Sequence, residues 1–199
     1  MNDIKPTWEE LKELRTPGIP EIKVRTKSNW FQILLGFLLN LFRKNKSYKK
    51  FYSSFYIFFR PCIYVPTGED KKRILSPVGM DRTDLKRMCH EITHINDMHQ
   101  VGRYRFAWTY VTNQRARAMY EADAYLTALL IDYFLGVPIE NMAQSHVESI
   151  TRKLTEHYSV DAWHTDYVED YLWRTINLID KGSYTDQERR LQAFILDRI

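Results

Sequence analysis

The sequence predicts an α+β fold that is mainly helical. Downstream of residue 81, apolar residues recur at helical spacing in several segments bounded by capping residues and glycines. Upstream, residues 51–66 are rich in aromatic and β-branched side chains, which is typical of strands. The chain of 199 residues has only 7 glycines and 7 prolines, so a collagen-like or low-complexity protein is excluded.

The front part of the chain is predicted to supply the strands. Residues 1–28 are expected to form an N-terminal arm, with a short acidic helix over 8–14 and an alternating, strand-like piece over 22–25. Residues 51–66 predict one or two strands. Within them, Pro61 is expected at a sheet edge or a bulge because it lacks a backbone donor.

The rear part of the chain is predicted to be helical after a polar loop over 67–80. Apolar periodicity, capping residues and helix-stopping glycines delimit the helices. Their predicted spans are about 81–100, 104–111, 113–135, 138–158, 162–181 and 185–199.

The most apolar segment, residues 30–42, is too short to cross a bilayer, which needs about 20 apolar residues. A basic run over 43–50 follows it directly. Three interpretations are open. A core helix with a solvated basic turn is favoured over a membrane-surface helix that makes weak contact through residues 30–50, and a nucleic-acid patch is the least favoured.

The net charge of +4 is unevenly distributed along the chain. Residues 1–76 carry a net charge of +8, and residues 77–199 carry −4. The two cysteines, Cys62 and Cys89, are too few for a disulfide framework, and the first residues show no secretory signal pattern. We therefore expect buried free thiols and a cytoplasmic location.

The motif that carries chemistry lies in the predicted helix over 81–100. Residues 90–94 read His-Glu-Ile-Thr-His, so His90 and His94 lie one turn apart on the same helix face. This spacing lets two imidazoles bind one zinc ion, with Glu91 beside the site as a base toward water. Five apolar residues lie roughly opposite and are predicted to pack in the core: Leu85, Met88, Cys89, Ile92 and Ile95.

A third metal ligand is expected downstream of this motif. The extended metzincin motif needs Gly and His where this chain has Asp97 and Gln100, so that class is excluded. Glu121 and Asp123 are the main candidates, and they point to nearly opposite sides of a helix. Glu121 is favoured because its helix face carries small residues, which let two helices approach closely. A ligand from elsewhere in the chain remains a further alternative.

The motif and its surroundings resemble a known family. The His-Glu-Ile-Thr-His motif, the glycine-aromatic segment after it and Tyr-Glu-Ala-Asp-Ala-Tyr at 120–125 are similar to the pattern of small gluzincin-type zinc metallopeptidases of bacterial and bacteriophage genomes. The resemblance implies Zn²⁺ held by His90, His94 and Glu121, with Glu91 as the general base.

The same resemblance implies a zincin-like domain over residues 29–199. Its catalytic core would span about 55–135, with a helical extension over 137–199. The chain departs from the family pattern at Asp123, where a second Glu is common. It also departs at Tyr125, where many members have an Asp that orients a ligand histidine.

The expected function is zinc-dependent hydrolysis of amide bonds in a peptide or peptide-containing substrate. Two alternatives stay open. One is a catalytically idle zincin fold that serves as a binding or virion-associated component, and the other is an interaction protein that uses its basic half on a membrane or nucleic acid. A further group usually stabilises the oxyanion in such hydrolysis. The candidates for that role are His146, His157, His164, Tyr110 and Tyr158.

Overall fold

The computed structural model describes residues 4–26, 56–58, 60–158 and 160–198. Within these ranges three strands form one sheet: β1 (Lys23–Thr26), β2 (Tyr56–Phe58) and β3 (Arg60–Val65). The helices in the same ranges are α1 (Trp8–Leu11), α2 (Gly68–Ile74), α3 (Arg82–Val101), α4 (Arg103–Thr112), α5 (Gln114–Phe134), α6 (Ala143–Tyr158), α7 (Ala162–Asp180) and α8 (Asp186–Leu196). Short 3₁₀ turns cover Lys12–Leu14 and Ile139–Asn141. The described chain is mainly helical, as predicted.

Strand β3 lies in the middle of the sheet. It pairs in parallel with β1 and antiparallel with β2, and the register to β2 shifts between Ile57 and Phe58. Pro61 lies one residue before Cys62, at which β1 begins to pair. Because Pro61 has no partner on β1, its missing N–H disrupts no ladder there, in keeping with the predicted edge or bulge position.

Helix α2 corrects the prediction of a loop over 67–80. The Thr67 side chain accepts a hydrogen bond from the backbone N–H of Asp70, and the Asp70 carboxylate accepts one from the Thr67 N–H. This reciprocal capping stabilises the first turn of a helix. Only Ile74 in the helix is buried, so the segment has no apolar periodicity by which the sequence could reveal it.

Helix α5 is the centre of the helical part, and it contacts α3, α4, α6, α7 and α8. Three of its alanines, Ala118, Ala122 and Ala124, are fully buried. Their small side chains allow neighbouring helices to approach closely. The predicted packing face of α3 is confirmed, because Leu85, Met88, Cys89, Ile92 and Ile95 are all buried.

The described part of the N-terminal arm, residues 4–26, packs into the same core as α3. Its buried apolar side chains in that core are Ile4, Trp8, Leu11, Leu14, Ile19, Ile22 and Val24. The backbone N–H of Thr16 donates a 2.9 Å hydrogen bond to Asn96 Oδ1 on α3. Gly79 has φ +88°, and a Cβ atom there would lie 1.9 Å from the Lys5 carbonyl oxygen. The arm backbone therefore passes so close that only glycine fits at this position.

The apolar segment 30–42 and the basic run 43–50 lie outside the described residues. None of the helices described here combines the length and the apolar character that a membrane span requires. Cys62 and Cys89 are buried free thiols, as predicted.

Candidate metal centre

Helix α3 presents His90 and His94 toward α5. The helix begins after Asp81, whose side chain accepts a hydrogen bond from the backbone N–H of Asp84, and it ends at Gly102, where φ is +89°. The two imidazole centroids lie 4.8 Å apart and the ring planes are nearly perpendicular, at 88°. Both rings thus lie on the α5 side of one helical turn.

Glu121 on α5 reaches both rings. Its Oε2 lies 3.5 Å from Nε2 of His90, and its Oε1 lies 3.4 Å from Nε2 of His94. The three donor atoms lie within 4.8 Å of one another, and this is the group among the described residues that could hold a metal ion. Glu121 is 1% exposed and His94 is 5% exposed, so bulk water competes little for the site.

The donor atoms are compatible with a metal ion in two respects. Two donors of a tetrahedral site with bonds of about 2.0–2.1 Å lie about 3.3 Å apart. Glu121 places one carboxylate oxygen, Oε2, 3.5 Å from His90 Nε2 and the other, Oε1, 3.4 Å from His94 Nε2. In addition, Glu121 Oε2 is buried and accepts no hydrogen bond. A buried carboxylate oxygen without a partner is costly, and a cation held between the three side chains would satisfy it.

The charges around the group favour a cation as well. Burial alone would lower the pKa of His94, but nearby carboxylates, chiefly that of Glu121, raise this pKa to about 9. Burial opposes the ionisation of Glu121, yet the two imidazoles hold the pKa of Glu121 well below its usual range. Burial raises the pKa of Asp97 to about 7 and that of Asp123 to about 6. Several carboxyl groups therefore surround two imidazoles at one place in the core.

Glu91 lies next to the metal-binding group rather than within it. It follows His90 on α3, is 6% exposed, and has an electrostatic interaction with His94. One residue corresponds to about 100° around a helix, so the carboxylate is displaced from the line of the two imidazoles.

Tyr110 contacts Glu121, although the sequence indicated it only as a candidate to stabilise the oxyanion. Its hydroxyl donates a short hydrogen bond to Glu121 Oε1. Its ring centroid lies 6.3 Å from that of His94 and 5.8 Å from that of Phe106, which stacks on it. The spacing of Phe106 and Tyr110, four residues apart on one face of α4, was the only sequence signal for this contact.

Two features place α4 over the site. Gly102, at φ +89°, separates α3 from α4 and lets the chain turn back. The buried Arg117 on α5 then donates from Nη1 to the carbonyl oxygens of Tyr110, at 3.1 Å, and Val111, at 3.4 Å. The guanidinium thereby satisfies the last carbonyls of α4 and fixes the end of the helix that carries Tyr110.

A second pair of tyrosines borders His90. The Tyr125 ring lies 4.6 Å from the His90 ring between centroids, and the Tyr125 and Tyr158 hydroxyls are 3.4 Å apart. Burial, followed by the negative charge of Glu121, raises the pKa of Tyr158 well above its usual value. Tyr158, one of the oxyanion candidates, is therefore within electrostatic reach of the metal-binding group.

The remaining oxyanion candidates have other surroundings. His146 Nε2 lies 3.9 Å from Asp132, which is eleven residues beyond Glu121 on α5 and hence about 16 Å along the helix axis. His164 lies beside Asp161 at the start of α7. The side chain of His157 lies outside the described residues.

Asp123, the alternative third ligand, has a different partner. Its Oδ1 accepts a short hydrogen bond from the Tyr171 hydroxyl on α7, and it lies outside the group that could hold a metal. The structure thus brings together His90, His94 and Glu121. Comparisons with protein-family models, with curated proteins and with solved structures gave no match.

Proposed function

We propose that this protein is a zinc-dependent hydrolase with a zincin-like active site that cleaves amide bonds in peptides or peptide-containing substrates. The observation that carries the proposal is the close grouping of His90, His94 and Glu121. In this group one oxygen of the buried Glu121 carboxylate, Oε2, has no hydrogen bond. A metal site used only for structure normally has four protein ligands, whereas three ligands leave a position open for a substrate or water.

The donor set supports zinc. Two imidazoles and one carboxylate are a common ligand set of catalytic zinc, although iron(II) is also bound by two histidines and a carboxylate. Zinc bound there would polarise a substrate carbonyl and lower the pKa of a water molecule. Glu91, which follows His90 and is buried beside the group, favours a hydrolase over a plain metal site, because it could supply a base there.

The chain's own residues would then handle the proton. Glu91 accepts a proton from the attacking water and passes it to the leaving amine, which a carboxylate in a poorly hydrated site can do. Among the oxyanion candidates, Tyr158 is the one we propose as donor to the carbonyl oxygen. Its hydroxyl pairs with Tyr125 beside His90, whereas the Tyr110 hydroxyl is engaged by Glu121.

Metal analysis combined with a peptide-library assay tests this function. We expect the wild type to carry stoichiometric zinc rather than iron, and to cleave peptides. His90→Ala should lose the metal, and Glu91→Gln should keep the metal and lose cleavage. Two matched controls, His99→Ala on the exposed part of α3 and Glu169→Gln on the exposed face of α7, should change neither.

The results also separate the alternatives. Zinc without any Glu91-dependent cleavage would favour the idle zincin fold with a binding role. A wild-type protein without bound metal would favour the interaction protein that uses the basic half. Unchanged zinc content in His90→Ala would show that the ligand assignment is wrong.

A further inference from the structure

We propose that Asp97 is a positioning residue for the metal site, and that it holds the His94 ring through the ring nitrogen that does not face the metal. This inference rests on the proposed metal centre but not on the proposed hydrolysis. It assigns a role to a side chain that neither the motif nor the ligand set includes.

The observation is a pair of buried polar atoms that face each other without hydrogen bonds. His94 Nδ1 and Asp97 Oδ2 are both buried, and neither has a hydrogen-bond partner. They lie 3.9 Å apart. Most buried polar atoms in native proteins are satisfied, so two unsatisfied atoms at one place need an explanation.

The helix geometry accounts for their proximity. His94 and Asp97 are three residues apart on α3, and residues at that spacing are neighbours on a helix surface. A separation of 3.9 Å is too long for a hydrogen bond, which needs about 2.7–3.2 Å. A side-chain rotation that moves Oδ2 by about 1 Å would close the contact and satisfy both atoms.

The orientation of the ring gives this contact its consequence. His94 directs Nε2 toward Glu121, at 3.4 Å, so the ligand nitrogen is Nε2 and Nδ1 faces away from the metal. A carboxylate that accepts from Nδ1–H fixes the tautomer in which Nε2 has a free lone pair, and it holds the plane of the ring. Metal-ligating histidines commonly have such a partner.

Asp97 is the acid suited to this role among the carboxylates near His94. Glu121 faces the other ring nitrogen at 3.4 Å, and Asp123 is hydrogen-bonded to the Tyr171 hydroxyl. Glu91 also acts on His94 electrostatically but makes no hydrogen bond to Nδ1. Asp97 is the one whose oxygen approaches Nδ1. Asp123→Asn therefore offers a matched control, because it also removes a nearby buried carboxylate but touches neither nitrogen of His94.

The test measures the zinc Kd by competition with a chelator for the wild type, Asp97→Ala, Asp97→Asn and Asp123→Asn. We expect Asp97→Ala to weaken zinc binding about 10- to 100-fold, as loss of such partners typically does. Asp97→Asn should stay within about threefold of the wild type, because its amide oxygen still accepts a hydrogen bond. Asp123→Asn should also stay within about threefold, and a thermal melt checks that each variant is folded.

A spectroscopic readout separates positioning from a general loss of structure. In zinc-loaded protein with ¹⁵N-labelled histidine, the Nδ1–H resonance of His94 should be visible in the wild type and Asp97→Asn, and lost to solvent exchange in Asp97→Ala. Equal zinc affinity for Asp97→Ala and the wild type would overturn the proposal and leave the metal site standing. Equal losses in Asp97→Ala and Asp123→Asn would also overturn it, since charge alone would then explain both.

The outcomes also distinguish this proposal from the proposed hydrolysis. If the wild type binds zinc but cleaves no peptide, and Asp97→Ala still weakens zinc binding, the positioning role holds and the hydrolase fails. If the wild type binds no zinc at all, both proposals are overturned.

Discussion

Helix α5 carries two buried carboxylates that face α3, Asp132 and Glu121, and they differ in the α3 side chains that they contact. Asp132 meets Arg82, whose Nε lies 2.8 Å from Oδ1, and Lys86, whose Nζ lies 2.6 Å from Oδ2. Arg82 and Lys86 are cationic side chains that lie one helical turn apart on α3. Asp132 is therefore neutralised by the chain itself, and its two oxygens have partners.

Glu121 meets a pair with the same spacing but different chemistry. Two turns further along α3, the residues that face α5 are His90 and His94, at 3.5 and 3.4 Å from the carboxylate oxygens. Imidazoles can be neutral and can bind metals, and Glu121 Oε2 has no hydrogen bond. Two similar helix contacts thus produce an ion-pair cluster at one end and, at the other, a group that could hold a metal ion.

The largest effect that would test this comparison is expected for Glu121→Gln. We predict that zinc affinity falls at least about 100-fold, because an amide is a far poorer ligand than a carboxylate in a site with only two other ligands. Chelator competition measures the Kd. The melting temperature serves as a check of the fold. The fold should persist because an imidazole, unlike Arg or Lys, can become neutral when the carboxylate charge is removed, and Gln has nearly the volume of Glu.

A result of the opposite kind would break the comparison. If Glu121→Gln bound zinc like the wild type but melted at a much lower temperature, Glu121 would be a structural ion-pair partner of the two histidines. It would then be equivalent to Asp132 rather than different from it.

The second prediction concerns Asp132→Asn. We expect a loss of about 1–3 kcal/mol in the free energy of unfolding, because charge-assisted hydrogen bonds from Arg82 and Lys86 are weakened while both cations stay in place. Zinc affinity should stay within about threefold of the wild type. Urea unfolding and chelator competition measure the two quantities, and a large change in zinc Kd would contradict the separation of the two clusters.

The third prediction sharpens the difference through Tyr110. Its hydroxyl donates to Glu121 Oε1, so Tyr110→Phe frees the carboxylate to rotate and should weaken zinc binding about 10-fold. Tyr104→Phe is the matched control, since Tyr104 lies on the same helix but is 85% exposed. Equal zinc affinities for the two variants would show that the hydrogen bond does not hold the ligand.

The part of the site that could be predicted from the sequence needs only local geometry. The spacing of His90 and His94 places both rings on one face wherever α3 is helical. The small residues on the Glu121 face of α5 indicate a close helix contact, and two of them, Ala118 and Ala124, are fully buried. Glu121 does lie against both histidines in the structure.

The rest of the arrangement depends on contacts between distant segments. Tyr110 reaches Glu121 only because the chain turns at Gly102 and Arg117 fixes the end of α4. Neither interaction leaves a periodic pattern in the sequence. Helix α2 escaped prediction for a related reason, because its one buried residue, Ile74, produces no periodicity.

The smallest predicted effect concerns Glu10, a partly exposed carboxylate that can be compared with the buried Asp132 and Glu121. Its two hydrogen bonds of 2.7 Å are local, because the backbone N–H and the hydroxyl of Thr7 each donate to Glu10 Oε2. Arg198 Nη2 also lies 3.5 Å from Glu10 Oε1. The Thr7 backbone hydrogen bond is the main cause that lowers the pKa of Glu10 below 4.5. Unlike Glu121, Glu10 therefore stabilises the protein as part of a helix cap.

The lowered pKa sets the sign of its pH dependence. The charge on Glu10 contributes stability that is fully present above pH 4.5, the unfolded value, and is lost as pH falls through the lower folded pKa. Because the side chain is 42% exposed, screening keeps this contribution below about 1 kcal/mol. In urea unfolding, the wild type should exceed Glu10→Gln by that small amount at pH 7, and the gap should shrink at pH 3. A gap that grows at pH 3 would show that the pKa of Glu10 is raised in the folded state. Burial would then disfavour the charged form of Glu10, as it does for Asp123.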